Sequence, residues 1–330
     1  MKLAVYSAQD YDREYLSQAN AEFGHQLHFI DEALDVQNTQ LAKGCQAVSI
    51  FVNDKADYAV IEKLSQQGVG LLALRCTGFN HVDLSAAKQF GISVVRVREY
   101  PPHAVAEHAA LLMLALNRKL LMAHARVQHN NFSLNGLMGF DLHGKTIGII
   151  GAGKIGEAFC KIAKGFGCHV IAFDIIHNSS FIDAGGHFVS LTELAKQADI
   201  ISLHCALTPE TTHLIDQHFI AQCKKGVLLI NTSRGAVIDT HAVLPALRNN
   251  HLGGLAMDVY EYEAGLFFQD HSNAAMADEL LKQLQAISNV IITGHQGFLT
   301  VEAFSRICQT TLESVRAFEN GSELLNAITL

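Results

Sequence analysis

The sequence predicts an α/β protein built from two doubly wound, parallel-sheet (Rossmann-like) domains, one inserted into the other. Three observations predict it. At 330 residues the chain exceeds the size at which a single hydrophobic core usually stops growing. Apolar, β-rich runs alternate with helical patterns along its length, as strands covered on both faces of a parallel sheet require. Two prolines, Pro101 and Pro102, interrupt that alternation just before a long helical stretch.

Taken in order, the expected strands are 3–6, 47–51, 71–75, 94–97, 146–150, 169–173, 200–204, 226–230, 255–259 and 290–293. The stretch 105–127 reads as one helix and 301–320 as the last. The chain is expected to cross between domains at Tyr100-Pro101-Pro102 and again at 294–297. Residues 1–100 with 297–330 then form one domain, and 101–296 the domain inserted into it.

Hydrophobic residues make up 49% of the chain and charged ones 17%, with four prolines, which describes a packed globular protein rather than a disordered one. With 24 Lys and Arg against 32 Asp and Glu, the net charge of -8 argues against nucleic acid or an anionic membrane as partner. The opening MKLAVYS soon turns polar, and the apolar run 109–116 stops at Asn117-Arg118-Lys119. Neither has the length of a signal peptide or a membrane span, so a cytoplasmic protein is expected. Seven scattered cysteines without a C-x-x-C pair read as reduced core thiols. The 18 histidines show no H-E-x-x-H or similar ligand spacing, so no metal is expected.

The sharpest local signal is Thr146-Ile147-Gly148-Ile149-Ile150-Gly151-Ala152-Gly153-Lys154-Ile155-Gly156, an apolar strand running into G-x-G-x-x-G and a helix. Gly151 permits the tight turn, Gly153 lets backbone approach a pyrophosphate, and Gly156 allows close helix–strand packing. The helix that follows turns its partly positive N-terminus toward phosphates. The next strand ends at Asp174, whose carboxylate would accept from ribose hydroxyls and repel a 2′-phosphate. NAD is therefore the expected cofactor in preference to NADP. His177 is the one nearby residue suited to a 2′-phosphate.

Three later segments place polar groups at strand ends, where α/β sheets bind ligands: Asn231-Thr232-Ser233-Arg234-Gly235, 257–263 and 293–298. They supply Arg234, Glu263 and His295. Reduction of a 2-oxo acid needs those three types: a fixed cation for carboxylate and carbonyl oxygen, a carboxylate to orient the proton donor, and the donor itself. Taken singly, each also reads as an ordinary surface charge or a satisfied histidine, and spacing does not show that they meet.

With the glycine loop, these segments resemble the signature blocks of the D-isomer-specific 2-hydroxyacid dehydrogenase family. The likeness covers essentially the whole chain, including Phe51-Val52-Asn53-Asp54, 74–80, Val105-Ala106-Glu107-His108-Ala109 and 203–210, and is greatest to bacterial fermentative members that reduce pyruvate to D-lactate. The resemblance implies that Arg234 binds substrate and polarises its carbonyl, that His295 is the general acid/base, and that Glu263 is its carboxylate partner. It implies cofactor contacts from the glycine loop with Lys154 and Ile155, and from Val105, Asp174, Cys205, Ala206, Thr232 and Asp258. Thr77 and Gly78 would offer backbone N–H groups to the substrate carboxylate, and Phe51, Tyr100 and Phe298 would wall the pocket. Family members commonly carry proline where this chain has Ala206, so the turn on the nicotinamide side is less rigid here. A homodimer or homotetramer is implied. Glycerate-, glyoxylate- or longer-chain-specific relatives are the near alternative, and a dinucleotide-sensing interaction protein the more distant one.

Overall fold

The computed structural model describes residues 1–274 and 276–328. It divides into two compact units, Met1–Pro101 with Leu299–Leu330, and Pro102–Phe298. This division differs from the sequence-based one by one residue at the first crossing and by two at the second. At the second crossing the Gly297 N–H is bound to the Asp258 carboxylate 2.7 Å away, which keeps Gly297 on the inserted unit.

In the first unit, β1 (Lys2–Val5), α1 (Asp10–Asn20), β2 (Gln26–Phe29), β3 (Ala47–Ile50), α2 (Tyr58–Gln66), β4 (Leu71–Leu74), α3 (Leu84–Phe90) and β5 (Ser93–Arg96) follow in order. The five strands pair in parallel in the order β2-β1-β3-β4-β5. Every residue of β3 and β4 is buried, as expected for central strands covered on both faces. Asp57 and Asp83 cap α2 and α3, each carboxylate accepting a backbone N–H of the first turn. β2 went unread in the sequence because Gln26-Leu27-His28-Phe29 is an edge strand with no buried residue, so it lacks the apolar run used to find the others.

The inserted unit begins with α4 (His103–Asn117) and α5 (Leu120–Gln128). The single helix expected over 105–127 is thus two. Lys119 adopts a left-handed φ of 53°, and the Asn117 side chain binds both the N–H and the C=O of Phe140 instead of continuing outward. Then come β6 (Thr146–Ile150), α6 (Lys154–Gly165), β7 (His169–Phe173), α7 (Ser179–Asp183), the two-residue β8 (His187–Phe188), α8 (Leu191–Gln197) and β9 (Ile200–Leu203). The unit closes with α9 (Gln217–Gln222), β10 (Val227–Asn231), α10 (Thr240–Arg248), β11 (Leu252–Met257), α11 (Glu279–Gln285) and β12 (Val290–Ile292).

Its seven strands run in parallel in the order β12-β11-β10-β9-β6-β7-β8. Strand order reverses at β6, so a topological switch point lies between β6 and β9, where such sheets bind ligands. Two apolar cores flank the sheet, one around Phe159, Ile149 and Met113, the other around Leu229, Phe219 and Tyr260. The chain then returns to the first unit as α12 (Val301–Glu319), capped by Thr300 and packed on α1 and β4.

Candidate active site

The loops after β6 and β9 meet at the switch point of the inserted unit. Gly151 has φ +97°, and a Cβ there would lie 2.5 Å from the Cys205 nitrogen. At Gly156 a Cβ would lie 2.1 Å from the Gly151 oxygen, whereas at Gly153 it would meet nothing within 4 Å. The turn and the helix contact both demand glycine, and the middle glycine leaves open the backbone that starts α6. Lys154 is exposed and Ile155 half-buried on the first turn of that helix.

Asp174, just past β7, accepts from Ala152 N at 2.6 Å and from Ile176 N at 3.0 Å, so its carboxylate is bound to the glycine loop. The His177 ring stacks on Phe188 at 4.3 Å. Beyond β9, His204 holds the Ser202 hydroxyl at 2.9 Å, and burial drives its pKa down to about 3. Cys205 is half-buried, its thiol pushed up to about 11 chiefly by burial, while Ala206 is exposed. Val105 is buried in the first turn of α4. The Thr232 hydroxyl is buried with no partner among the described residues. An open backbone at Gly153, an anchored carboxylate at Asp174 and an unpartnered hydroxyl at Thr232 fit a dinucleotide.

The loops after β10, β11 and β12 carry the other polar groups. Asn231 folds the first, taking the Ser233 N–H and hydroxyl on its Oδ1 and donating to the Arg234 carbonyl. Gly235 follows because the neighbouring loop crosses there: a Cβ would lie 2.0 Å from the Tyr260 carbonyl carbon. Arg234 is half-buried, and its Nη1 donates to the Ser233 carbonyl at 2.6 Å. The rest of its fork meets no partner among the described residues.

Glu263 and His295 meet. Glu263 Oε2 accepts from Tyr260 N at 2.9 Å, and its Oε1 lies 2.9 Å from His295 Nδ1. The two side chains are 24% and 14% exposed, so the pair is shielded yet reachable. His295 sits at φ +58°, a left-handed conformation that costs about 1–3 kcal/mol and persists only where surroundings enforce it. The enforcement comes from Asp258. Its Oδ1 accepts from Gln296 N at 2.9 Å and the Thr293 hydroxyl at 2.5 Å, and its Oδ2 from Gly297 N at 2.7 Å. His108 Nε2 of α4 approaches the same carboxylate at 3.2 Å. Burial pushes the Asp258 pKa up, but bonds from His108, Thr293 and Gln296 outweigh it and hold the group below the usual carboxylate range.

Asp258 was expected at the cofactor; the bonds it makes here hold the His295 loop. Sequence reasoning missed His108 and Thr293 as its partners, although His108 lies in the 105–109 block, because the three join only when α4 packs beneath β11 and β12.

Thr77, Gly78, Phe51 and Tyr100 belong to the first unit, and Phe298 to the inserted one. Phe51 follows β3 and is buried, its N–H held by Asp54 at 2.5 Å and its ring 5.9 Å from the Arg75 guanidinium. Arg75 is itself fully buried and bonded to Asp12, Ser49 and the Tyr6 carbonyl. Phe298 is buried and Tyr100 half-buried. Thr77 and Gly78 are half-buried just beyond β4, and neither N–H has an acceptor among the described residues. Successive free N–H groups of this kind form an anion-binding concavity.

Residues 110–297 match the model of the D-isomer specific 2-hydroxyacid dehydrogenase NAD-binding domain. D-lactate dehydrogenase of Escherichia coli strain K12 is 49% identical over 328 residues, which are 99% of this chain and 100% of that protein. The solved apo-structure of the Escherichia coli D-lactate dehydrogenase aligns with a TM-score of 0.92 at 47% identity, covering 100% of both chains. D-lactate dehydrogenase from Lactobacillus jensenii, solved with NAD+, aligns with a TM-score of 0.83 at 30% identity, again over 100% of both. The chain therefore belongs to the D-isomer-specific 2-hydroxyacid dehydrogenase family, with the family's NAD-binding domain carried on the inserted unit.

Proposed function

We propose that this protein is an NAD-dependent D-lactate dehydrogenase that reversibly reduces pyruvate to D-lactate. The observation that carries the reading is the Glu263–His295 pair at 2.9 Å, which joins the loops after β11 and β12 beside the Arg234 loop after β10, in a unit of the NAD-binding family. Bound NADH supplies the hydride for C2 of pyruvate. Arg234 holds the carboxylate and polarises the C2 carbonyl with a planar fork that addresses two oxygens at once. On the first unit the Thr77 and Gly78 N–H groups receive a substrate carboxylate, with Phe51 and Tyr100 as apolar wall residues there; Phe298 is the wall residue of the inserted unit.

With Nδ1–H donated to Glu263, the working nitrogen of His295 is Nε2. Protonated, it gives its proton to the C2 oxygen during reduction. Neutral, it takes the hydroxyl proton of D-lactate in the reverse direction. Val105, Cys205, Ala206 and Thr232 line the cofactor side, and Asp174 selects NAD over NADP through its charge.

The protein works as a homo-oligomer. No residue of α5 is buried. Phe132, Leu134 and Met138 beyond it are 71%, 80% and 91% exposed, an apolar surface that a second copy would cover. Sedimentation finding only monomer would end that part of the reading. Among the described residues no helix is long and apolar enough to cross a membrane, and seven cysteines outside any disulfide suit a reducing, cytoplasmic setting.

The decisive experiment follows NADH oxidation across pyruvate, glyoxylate, hydroxypyruvate and longer 2-oxo acids, with chiral analysis of the product. D-lactate from pyruvate is expected. L-lactate, or preference for another 2-oxo acid with pyruvate untouched, overturns the assignment.

A further inference from the structure

We infer that Arg96 is a positioning residue for substrate binding: it aims the Gly78 N–H at the substrate carboxylate by gripping the other side of the same peptide plane. The inference rests on the reading that Thr77 and Gly78 receive that carboxylate.

The turn 76–78 leaves β4 with its carbonyls tied inward one after another. The Cys76 carbonyl accepts from Val97 N at 3.2 Å, the Thr77 carbonyl from Arg96 Nη1 at 2.8 Å, and the Gly78 carbonyl from the Cys76 thiol at 3.1 Å. A trans peptide is planar, and its C=O and N–H point in opposite directions. Fixing the Cys76 carbonyl therefore aims the Thr77 N–H away from it, and fixing the Thr77 carbonyl aims the Gly78 N–H likewise. The first bond is backbone to backbone and survives most substitutions. The second is the one held by a side chain, so the direction of the Gly78 N–H depends on Arg96.

Arg96 is well placed for that task. It ends β5, paired with Leu74 of β4, so its backbone is locked to the strand that launches the turn. Its own N–H is bound to the Asn326 carbonyl at 3.1 Å, and its guanidinium lies 4.9 Å from the Phe79 ring centroid. Guanidinium on carbonyl and guanidinium on ring together hold residues 77 and 79 on either side of Gly78. Without this grip a glycine-containing turn rotates its peptide planes at little cost, and the Thr77 carbonyl oxygen would then face an incoming carboxylate.

The test compares Arg96→Met and Arg96→Lys with wild type. The readouts are KM and kcat for pyruvate, the inhibition constant of oxamate (a carboxylate-bearing analogue of pyruvate), and the Kd of NADH. Arg96→Met is expected to raise the pyruvate KM and the oxamate constant by about tenfold or more, the effect of losing one charge-assisted hydrogen bond. NADH affinity should stay unchanged, and Arg96→Lys should recover most of the loss because Nζ can donate to the same carbonyl. Unchanged constants in Arg96→Met overturn the inference, and so does an equal loss of NADH affinity, which marks a merely structural role. If Arg96→Met does not fold, Arg96→Gln decides by the same ratios. Wild type failing to turn over pyruvate or bind oxamate sinks the function reading and this inference together. Normal wild-type behaviour with an unresponsive variant sinks the inference alone.

Discussion

The turn 76–78 of the first unit and the loops at the carboxyl end of the inserted sheet are braced by groups of opposite charge. In the inserted unit, carboxylates do it by accepting backbone N–H groups: Asp174 from Ala152 and Ile176, Asp258 from Gln296 and Gly297, Glu261 from Thr240, Glu263 from Tyr260. In the first unit the turn beyond β4 is braced by a guanidinium donating to a carbonyl, Arg96 to Thr77, and Arg75 does the same for the Tyr6 carbonyl just beyond β1. Carboxylates brace other loops there: Asp54 takes the Phe51 and Leu34 N–H groups, and Asp57 and Asp83 cap α2 and α3. A carboxylate brace consumes N–H groups and leaves side chains such as His295 to do the work. A guanidinium brace consumes carbonyls and leaves N–H groups free, which suits a turn that must hold an anion.

The largest effect should come from breaking the carboxylate-braced side at its working residue. His295→Ala is expected to lower pyruvate turnover by about a hundredfold to ten-thousandfold, the range of general acid catalysis, while NADH still binds. The contrast with Arg96 is then in kind: one variant loses kcat, the other affinity. Loss of NADH binding in His295→Ala, measured by fluorescence titration, would show that the residue serves the loop rather than the reaction.

Removing the brace itself should follow. Asp258 is buried and meets His108, Thr293 and two backbone N–H groups, so Asp258→Ala strands several donors and should cost about 3–5 kcal/mol of stability. Its pKa is lowered in the folded protein. The stability this group contributes is therefore full above the unfolded value of about 3.9 and is lost as pH falls through the lower folded value. Melting temperatures of wild type and Asp258→Ala should differ most near neutrality and converge in acid below about pH 4. A constant difference across that window would show that the carboxylate's charge is not what holds the loop.

Much of this architecture was legible in the sequence, for a physical reason. Strands β6 and β7 were read at their full length because apolar runs bounded by glycine and aspartate are local signals, and the tasks of Gly151, Gly153 and Gly156 follow from motif context alone. The edge strand β2 alternates polar and apolar residues and β8 has only two, so neither offers such a run. The break at Lys119 depends on Asn117 bonding to Phe140, 23 residues on, and the His108–Thr293 bond joins groups 185 residues apart. Chemical residue types can be read from sequence, but bracing partners arise only on closure of the sheet. For the same reason Arg75 and Arg96 look in sequence like ordinary strand-end charges, although one is wholly buried and the other carries the turn.

The smallest expected effect separates the two properties of a carboxylate brace, its acceptor oxygens and its charge. At Asp174 the oxygens hold Ala152 N and Ile176 N, while the charge opposes a 2′-phosphate. Asp174→Asn removes the charge yet keeps one oxygen for a backbone N–H, so the glycine loop should stay folded and use of NADPH should improve. Two unit charges about 4 Å apart in water interact by about 1 kcal/mol. Relieving repulsion of a doubly charged phosphate should thus narrow the NADH-to-NADPH ratio of kcat/KM by about tenfold to thirtyfold. Asp174→Ala removes both properties, and should add a loss of NADH use because the ribose and the loop lose their acceptor. If Asp174→Asn leaves the ratio unchanged while Asp174→Ala damages use of both cofactors alike, this carboxylate is a brace only. Cofactor choice must then lie elsewhere on the loop beyond β7.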